Sequence, residues 1–220
     1  MIKQIEIKNL LPCVFAGMED TDRIRSSQIW EEPSFVFHRG CRLCIHAESG
    51  NGKSSLLHFI YGSRKDYKGS ILFDGNDISA LSIAQWCDVR TKGIALLPQD
   101  MALFPELTVG QNIDLKNNMT HHKTSEQIKD LLARLGIDDK HDVAAGKLSI
   151  GQMQRVALVR AVCQPFDFIF LDEPVSHLDA RNNKIVADII TDEANSQGAG
   201  IVSTSVGNHL MLDNAKFVSL

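Results

Sequence analysis

The sequence predicts an α/β fold built on a mostly parallel sheet, and three observations carry the prediction. Strand-like apolar runs alternate with helical patterns along the chain, as βαβ units require. A glycine-rich turn, Ser49-Gly50-Asn51-Gly52-Lys53-Ser54-Ser55, joins one predicted strand to one predicted helix. The run Phe168-Ile169-Phe170-Leu171 is apolar without alternation, the pattern of a parallel strand covered on both faces.

Each element follows from local pattern. Residues 1–8 alternate apolar and polar side chains as a half-buried strand does, and not as a signal peptide does. The polar, charged segment 17–33 reads as a surface loop, and strands follow at 34–38 and 42–47 around a turn at Arg39-Gly40. Leu56, Leu57 and Ile60 give segment 53–61 helical spacing. Short strands are expected at 70–73 and 93–97. From 99 to 148 the character is helical and polar, with 125–135 the clearest amphipathic piece. A helix at about 181–195 and strands at 200–204 and 216–220 complete the series.

Composition sets limits on function. At 220 residues with 44% hydrophobic content, the chain suits one α/β domain with a substantial core. A net charge of −4 without a long basic stretch argues against a nucleic-acid partner. The five scattered cysteines read as reduced thiols of a cytosolic protein. Cys41 and Cys44 have the spacing of half a zinc site, but no second pair follows, so they read as packing thiols. No apolar run approaches the ~18 residues of a membrane-spanning helix, so work at a membrane would need another chain.

Two motifs carry chemistry. In the turn at 49–55, glycines let several backbone N–H groups converge on one anion, and the following helix adds its positive end. Lys53 would reach the β- and γ-phosphates of a nucleotide, and the Ser54 hydroxyl would ligate Mg²⁺. The strict phosphate-loop pattern wants glycine where this chain has Ala47, which alanine satisfies if the backbone keeps a negative φ. The apolar strand 168–171 runs into Asp172 and Glu173, delivering two carboxylates to the edge where α/β sheets bind ligands. Asp172 would hold Mg²⁺ and Glu173 would act as general base on the attacking water.

Between these motifs lies Leu148-Ser149-Ile150-Gly151-Gln152-Met153-Gln154-Arg155, which resembles the signature of ATP-binding cassette proteins. Gln99 matches that family's Q-loop, and Ser176-His177-Leu178-Asp179 its D-loop. The resemblance implies a P-loop NTPase with a mostly parallel core, an N-terminal antiparallel β subdomain and an inserted helical subdomain. The ATP-binding core would comprise 1–98 and 162–220, and the helical signature part 99–161. It further implies an ATPase using ATP and Mg²⁺, with Glu173, Gln99 and Lys53 catalytic and Ser54, Gln99 and Asp172 around the metal. Residues 49–55 would bind ATP. Ser149, Gly151 and Gln152 would contact the nucleotide of a second cassette, in a homodimer or heterodimer, with Asp179 in the D-loop. A separate membrane permease would be the partner, holding the chain at the cytoplasmic face of the membrane. Segment 69–112, with Gly75-Asn76-Asp77-Ile78, Arg90 and Leu103-Phe104-Pro105-Glu106, resembles the lipoprotein-release, macrolide-export and cell-division branch.

The chain departs from the family pattern at three places. Ile150 replaces a glycine of the signature. Ser205 stands at the switch position normally held by histidine, with His209 expected at the surface. The aromatic residue that stacks on adenine is expected to be Phe15, with Trp30 as the alternative. Ala47, Ile150 and Ser205 together leave open a weakly hydrolysing module, and a regulatory cassette of the cell-division kind stands as a further alternative to the transporter reading.

Overall fold

The computed structural model describes residues 1–18 and 20–220; Glu19, within the segment expected to be a loop, lies outside the described residues. The strands are β1 (Gln4–Pro12), β2 (Ser34–His38), β3 (Arg42–His46), β4 (Tyr67–Phe73) and β5 (Asn76–Asp77). They continue with β6 (Ile94–Leu97), β7 (Phe168–Leu171), β8 (Gly200–Ser205) and β9 (Lys216–Ser219). The helices are α1 (Asp22–Arg25), α2 (Lys53–Ile60), α3 (Ile83–Asp88), α4 (Val109–Asn117), α5 (Ser125–Arg134), α6 (Ile150–Val162) and α7 (Ala180–Gln197).

Two sheets form. The first is antiparallel, in the order β2-β1-β4-β5, and the second is parallel, in the order β6-β7-β8-β3-β9. In β1, Ile5 stands opposite Phe37 and Phe73, and Ile7 opposite Phe35 and Ile71, so one apolar face points inward while Glu6 and Lys8 point away. The β1–β4 register slips between Lys8 and Leu11, where Asn9 takes a φ of 46°. Gly69 meets this bulge at φ +90°, and a Cβ there would lie 2.3 Å from the Asn9 carbonyl oxygen. Only glycine fits.

Strand β7 divides two cores. Phe168 and Phe170 join Ile5, Ile7, Leu56, Leu57 and Phe59 between the two sheets and α2. Ile169 and Leu171 face the other way, into Val109, Ile113, Leu131, Leu132, Val156 and Val159 of the helices inserted between β6 and β7. This is why the run lacks polar alternation.

Segment 17–33 differs from the expected surface loop. Ile24, Ile29 and Trp30 are buried in the core between the sheets. The Ser27 hydroxyl accepts the N–H groups of Ile29 and Trp30 at 3.1 and 2.8 Å, folding the chain so that both side chains turn inward. Helix α3 was also not expected. It starts at a capping box in which Ser82 and Gln85 exchange side-chain and backbone hydrogen bonds.

Candidate nucleotide-binding site

The loop between β3 and α2 curls around backbone donors. Gly50 and Gly52 adopt φ of 88° and 93°, and Gly52 is the N-cap of α2. The Lys53 ammonium bends back over the loop and donates to the carbonyls of Ala47 and Glu48 at 2.8 and 2.9 Å. Burial lowers the Lys53 pKa, while the nearby Glu173 and Asp172 oppose that shift. The acids and the lysine therefore share one field. Ser54 and Ser55 stand half-buried in the first turn of α2, which holds no acidic residue. This positive helix end matches a phosphate.

Phe15 and Trp30, the two candidates for base stacking, are packed against the loop. They are 4% and 6% exposed, and both rings lie within 3.4 Å of where a Cβ on Gly52 would sit. Trp30 Nε1 also donates to the Asn51 carbonyl at 3.1 Å. A stacking platform needs an open ring face, whereas these faces are spent on packing.

The acid turn follows β7. Asp172 is buried, and its Oδ1 accepts the Thr204 hydroxyl at 2.6 Å. Glu173 has φ of 50°, a conformation strained for a residue with a Cβ. Its N–H is held by Thr204 Oγ1, and its carbonyl by Gln154 Nε2 and the Ser176 hydroxyl. Glu173, Ser176, Ser205, Gly207 and Asn208 line a cleft of about 250 Å³. An adjoining cleft of about 420 Å³ runs from Val206 and Gly207 to Ala47, Glu48 and Asn51 of the loop.

Ser149, Gly151 and Gln152 line neither cleft. Ser149 is the N-cap of α6: its hydroxyl accepts the Gln152 N–H at 3.3 Å, and Gln152 Oε1 accepts the Ser149 N–H at 2.9 Å. Gly151 lies against the D-loop, where an added Cβ would meet the His177 carbonyl oxygen at 3.2 Å. Ile150 is 50% exposed, so its branched side chain points to solvent at this helix end. Asp179 caps α7 by accepting the Asn182 N–H at 2.8 Å, and that bond holds its carboxyl below the usual carboxylate range. Gln99 lies exposed just beyond β6.

Ser205 ends β8 opposite His46, is buried, and bonds His209 Nδ1 at 2.5 Å. His209 is thus not the surface residue expected from sequence. It is half-buried, with its ring 5.1 Å from that of Phe217 and its Nδ1 3.7 Å from Cys44 Sγ. Three roles escaped the sequence reading: those of Thr204, Gln154 and Ser27. Thr204 and Gln154 act on residues distant in the sequence, which no local spacing announces, whereas Ser27 bonds the N–H groups two and three residues on, a local turn available to sequence.

The set of oxygen donors near the loop, the Ser54 hydroxyl and the Asp172 carboxylate, is of the hard type that suits Mg²⁺. Among the described residues no cluster of three His, Cys, Asp or Glu side chains is placed to hold a metal by itself, so the phosphates and water would complete any such shell.

The ABC transporter family matches residues 30–176. The chain is 35% identical over 196 residues to the xylose import ATP-binding protein XylG of Shigella flexneri serotype 5b, covering 86% of this chain and 36% of that protein. With XylG of Escherichia coli strain K12 it shares 35% identity over 153 residues, 66% of this chain and 29% of that one. The chain thus spans about a third of the length of these relatives. Among solved structures, the dimeric ABC transporter cassette MJ0796 superposes with a TM-score of 0.74 at 20% identity, over 98% of this chain and 94% of that one. A bacterial Atm1-family ABC exporter with ATP bound gives 0.72 at 22% identity, over 99% of this chain and 37% of that one. These two likenesses show the fold, a P-loop ATP-binding cassette with an antiparallel sheet beside a parallel core. The match across residues 30–176 shows more: this chain belongs to the ABC transporter family.

Proposed function

We propose that this chain is the ATP-binding and ATP-hydrolysing subunit of a transporter, working as a pair of cassettes that drives a separate membrane permease. The observation that carries the reading is the convergence of Lys53 with Asp172 and Glu173, delivered by loops after β3 and β7 on either side of β8. Backbone N–H groups of 49–55 and Lys53 would take the phosphates, Lys53 leaving the Ala47 and Glu48 carbonyls to do so. Ser54 and Asp172, with Gln99, would hold Mg²⁺, which when bound neutralises charge on the β- and γ-phosphates. Glu173 would orient and deprotonate the attacking water. Ser149, Gly151 and Gln152, remote from the clefts of their own chain, would serve the nucleotide of the second cassette.

Among the described residues no helix is long and apolar enough to cross a membrane, so the reading places the crossing in the partner. A groove lined by Tyr61, Pro98, Phe104, Leu115 and Arg160 fits a short permease segment held at the cytoplasmic face. Phe104 and Leu115 are exposed apolar surface, and Arg160 and Lys116 supply cations for an acidic side chain. The role of the 35%-identical relatives, xylose import, favours an importer. The segment at 69–112 favours the lipoprotein-release and cell-division branch instead, and Ile150 with Ser205 favours slow hydrolysis.

Glu173→Gln tests the reading. ATP binding should persist, hydrolysis should fall to a few per cent or less, and the variant should sediment as a dimer in Mg-ATP. Parent turnover in this variant would overturn it.

A further inference from the structure

We propose that Gln154 is the positioning residue for Glu173, and that it makes the opening of α6 and the acid turn move as one body. The proposal rests on Glu173 as the general base.

A non-glycine residue in the left-handed region is strained by its Cβ crowding the neighbouring carbonyl oxygen, so Glu173 at φ 50° needs its two peptide groups held. On the N–H side Thr204 Oγ1 accepts at 3.1 Å. On the carbonyl side Gln154 Nε2 donates at 3.0 Å, with the Ser176 hydroxyl beside it at 3.1 Å. The same Gln154 amide reaches further along the turn: Nε2 lies 3.3 Å from Ser176 Oγ, and Oε1 accepts the His177 N–H at 3.3 Å. Gln154 is 5% exposed, so these bonds do not compete with bulk water. One planar group must donate to a carbonyl and accept from an N–H within the same turn. Only an amide of this length does both: glutamate lacks the donor, lysine the acceptor, and methionine lacks both.

The helix carrying Gln154 has a second hold on the turn. Three residues upstream, Gly151 packs so closely on the His177 carbonyl oxygen that a Cβ would stand 3.2 Å from it. The α6 end thus touches residue 177 through Gly151 and residues 173, 176 and 177 through Gln154. Any shift of that end on meeting a nucleotide reaches the Glu173 peptide through hydrogen bonds rather than through a flexible loop. The carboxylate of Glu173 then takes its place in the cleft only while α6 is seated.

The test is Gln154→Met, which keeps the volume and removes both hydrogen-bonding functions. Turnover should fall by ~10- to 10²-fold, the scale of a misplaced reacting group. Affinity for a fluorescent ATP analogue should change less than about twofold, because the phosphate loop is untouched. In a Glu173→Gln background the same substitution should leave the residual rate unchanged, since the group it positions is already gone. Turnover at the parent rate in a folded Gln154→Met protein, or an equal loss in both backgrounds, overturns the proposal. If Gln154→Met does not fold, Gln154→Glu serves, since it keeps the acceptor for the His177 N–H and removes the donor to the Glu173 carbonyl. Its turnover should drop several-fold, and no drop overturns the proposal. Parent turnover in Glu173→Gln alone is a different failure, that of the general-base reading.

Discussion

Thr204 ties the two acids of the site together, donating its hydroxyl to Asp172 Oδ1 at 2.6 Å while accepting the Glu173 N–H at 3.1 Å. The register explains how: β7 and β8 run parallel with Leu171 opposite Ser203, so the next residue on each strand falls side by side. Thr204→Val is isosteric and removes both bonds. It should lower unfolding free energy by ~1–3 kcal/mol, because a buried carboxylate loses its donor. Urea denaturation measures the first effect. Turnover should fall with it, as the Glu173 peptide loses its hold.

His209 should behave as a packing residue. His209→Ala deletes the bond to Ser205 and the ring contact with Phe217. About 1 kcal/mol of lost stability corresponds to ~2–4 °C in a domain of this size. Differential scanning calorimetry of the two proteins decides it. An unchanged Tm would return His209 to the surface.

Phe15 and Trp30 should not discriminate bases. Phe15→Leu should leave the ratio of ATP to GTP affinity unchanged within about twofold, as expected of a ring packed beneath the loop. Trp30→Phe loses the donor to the Asn51 carbonyl, and ~1 kcal/mol of loop support would weaken both nucleotides about fivefold alike. Isothermal titration with each nucleotide checks both variants. A selective loss for ATP would reinstate a stacking role.

Gly69→Ala should be among the most harmful single-methyl changes in the chain. The new Cβ would sit 2.3 and 2.4 Å from the Asn9 and Lys8 carbonyl oxygens, at a φ of +90°. The β1 bulge must move or the residue must leave its conformation, so a loss of at least ~2 kcal/mol is expected. Gly75→Ala is the control, since a Cβ there meets nothing within 4 Å although φ is also positive. Its loss in the same urea titration should be clearly smaller.

Motifs fixed by contiguous residues were legible in the sequence. The phosphate loop, between its strand and its helix, and the strand 168–171 both depend on neighbours a few positions apart, and the fold places them as read. Helix α3 was equally available, since Ser82 and Gln85 have capping-box spacing, but its side chains include no buried apolar face to reinforce the signal. What local pattern cannot supply is pairing between distant segments. Nothing in the spelling of Thr204 says that it will stand beside Asp172. The inward turn of 27–30 is by contrast local, set by one serine hydroxyl bonding the N–H groups two and three residues on, in a stretch whose polarity otherwise reads as solvated. The Glu173 conformation is invisible for a related reason: it belongs to a residue type that avoids it, and tertiary hydrogen bonds impose it.

Four helices, α3 to α6, open on a Ser or Thr paired with a glutamine three residues later. A glutamate would make the same reciprocal bonds, so the choice of the amide matters electrically rather than geometrically. At α6 the first turn contains no acid, and Gln152 completes the cap without adding one. The exposed helix end therefore keeps its full positive potential, undiminished by a built-in counterion and indifferent to pH. Gln152→Glu would preserve the helix yet set a permanent negative charge at the end to which the proposed function assigns a phosphate, turning a positive terminus into a self-neutralised one.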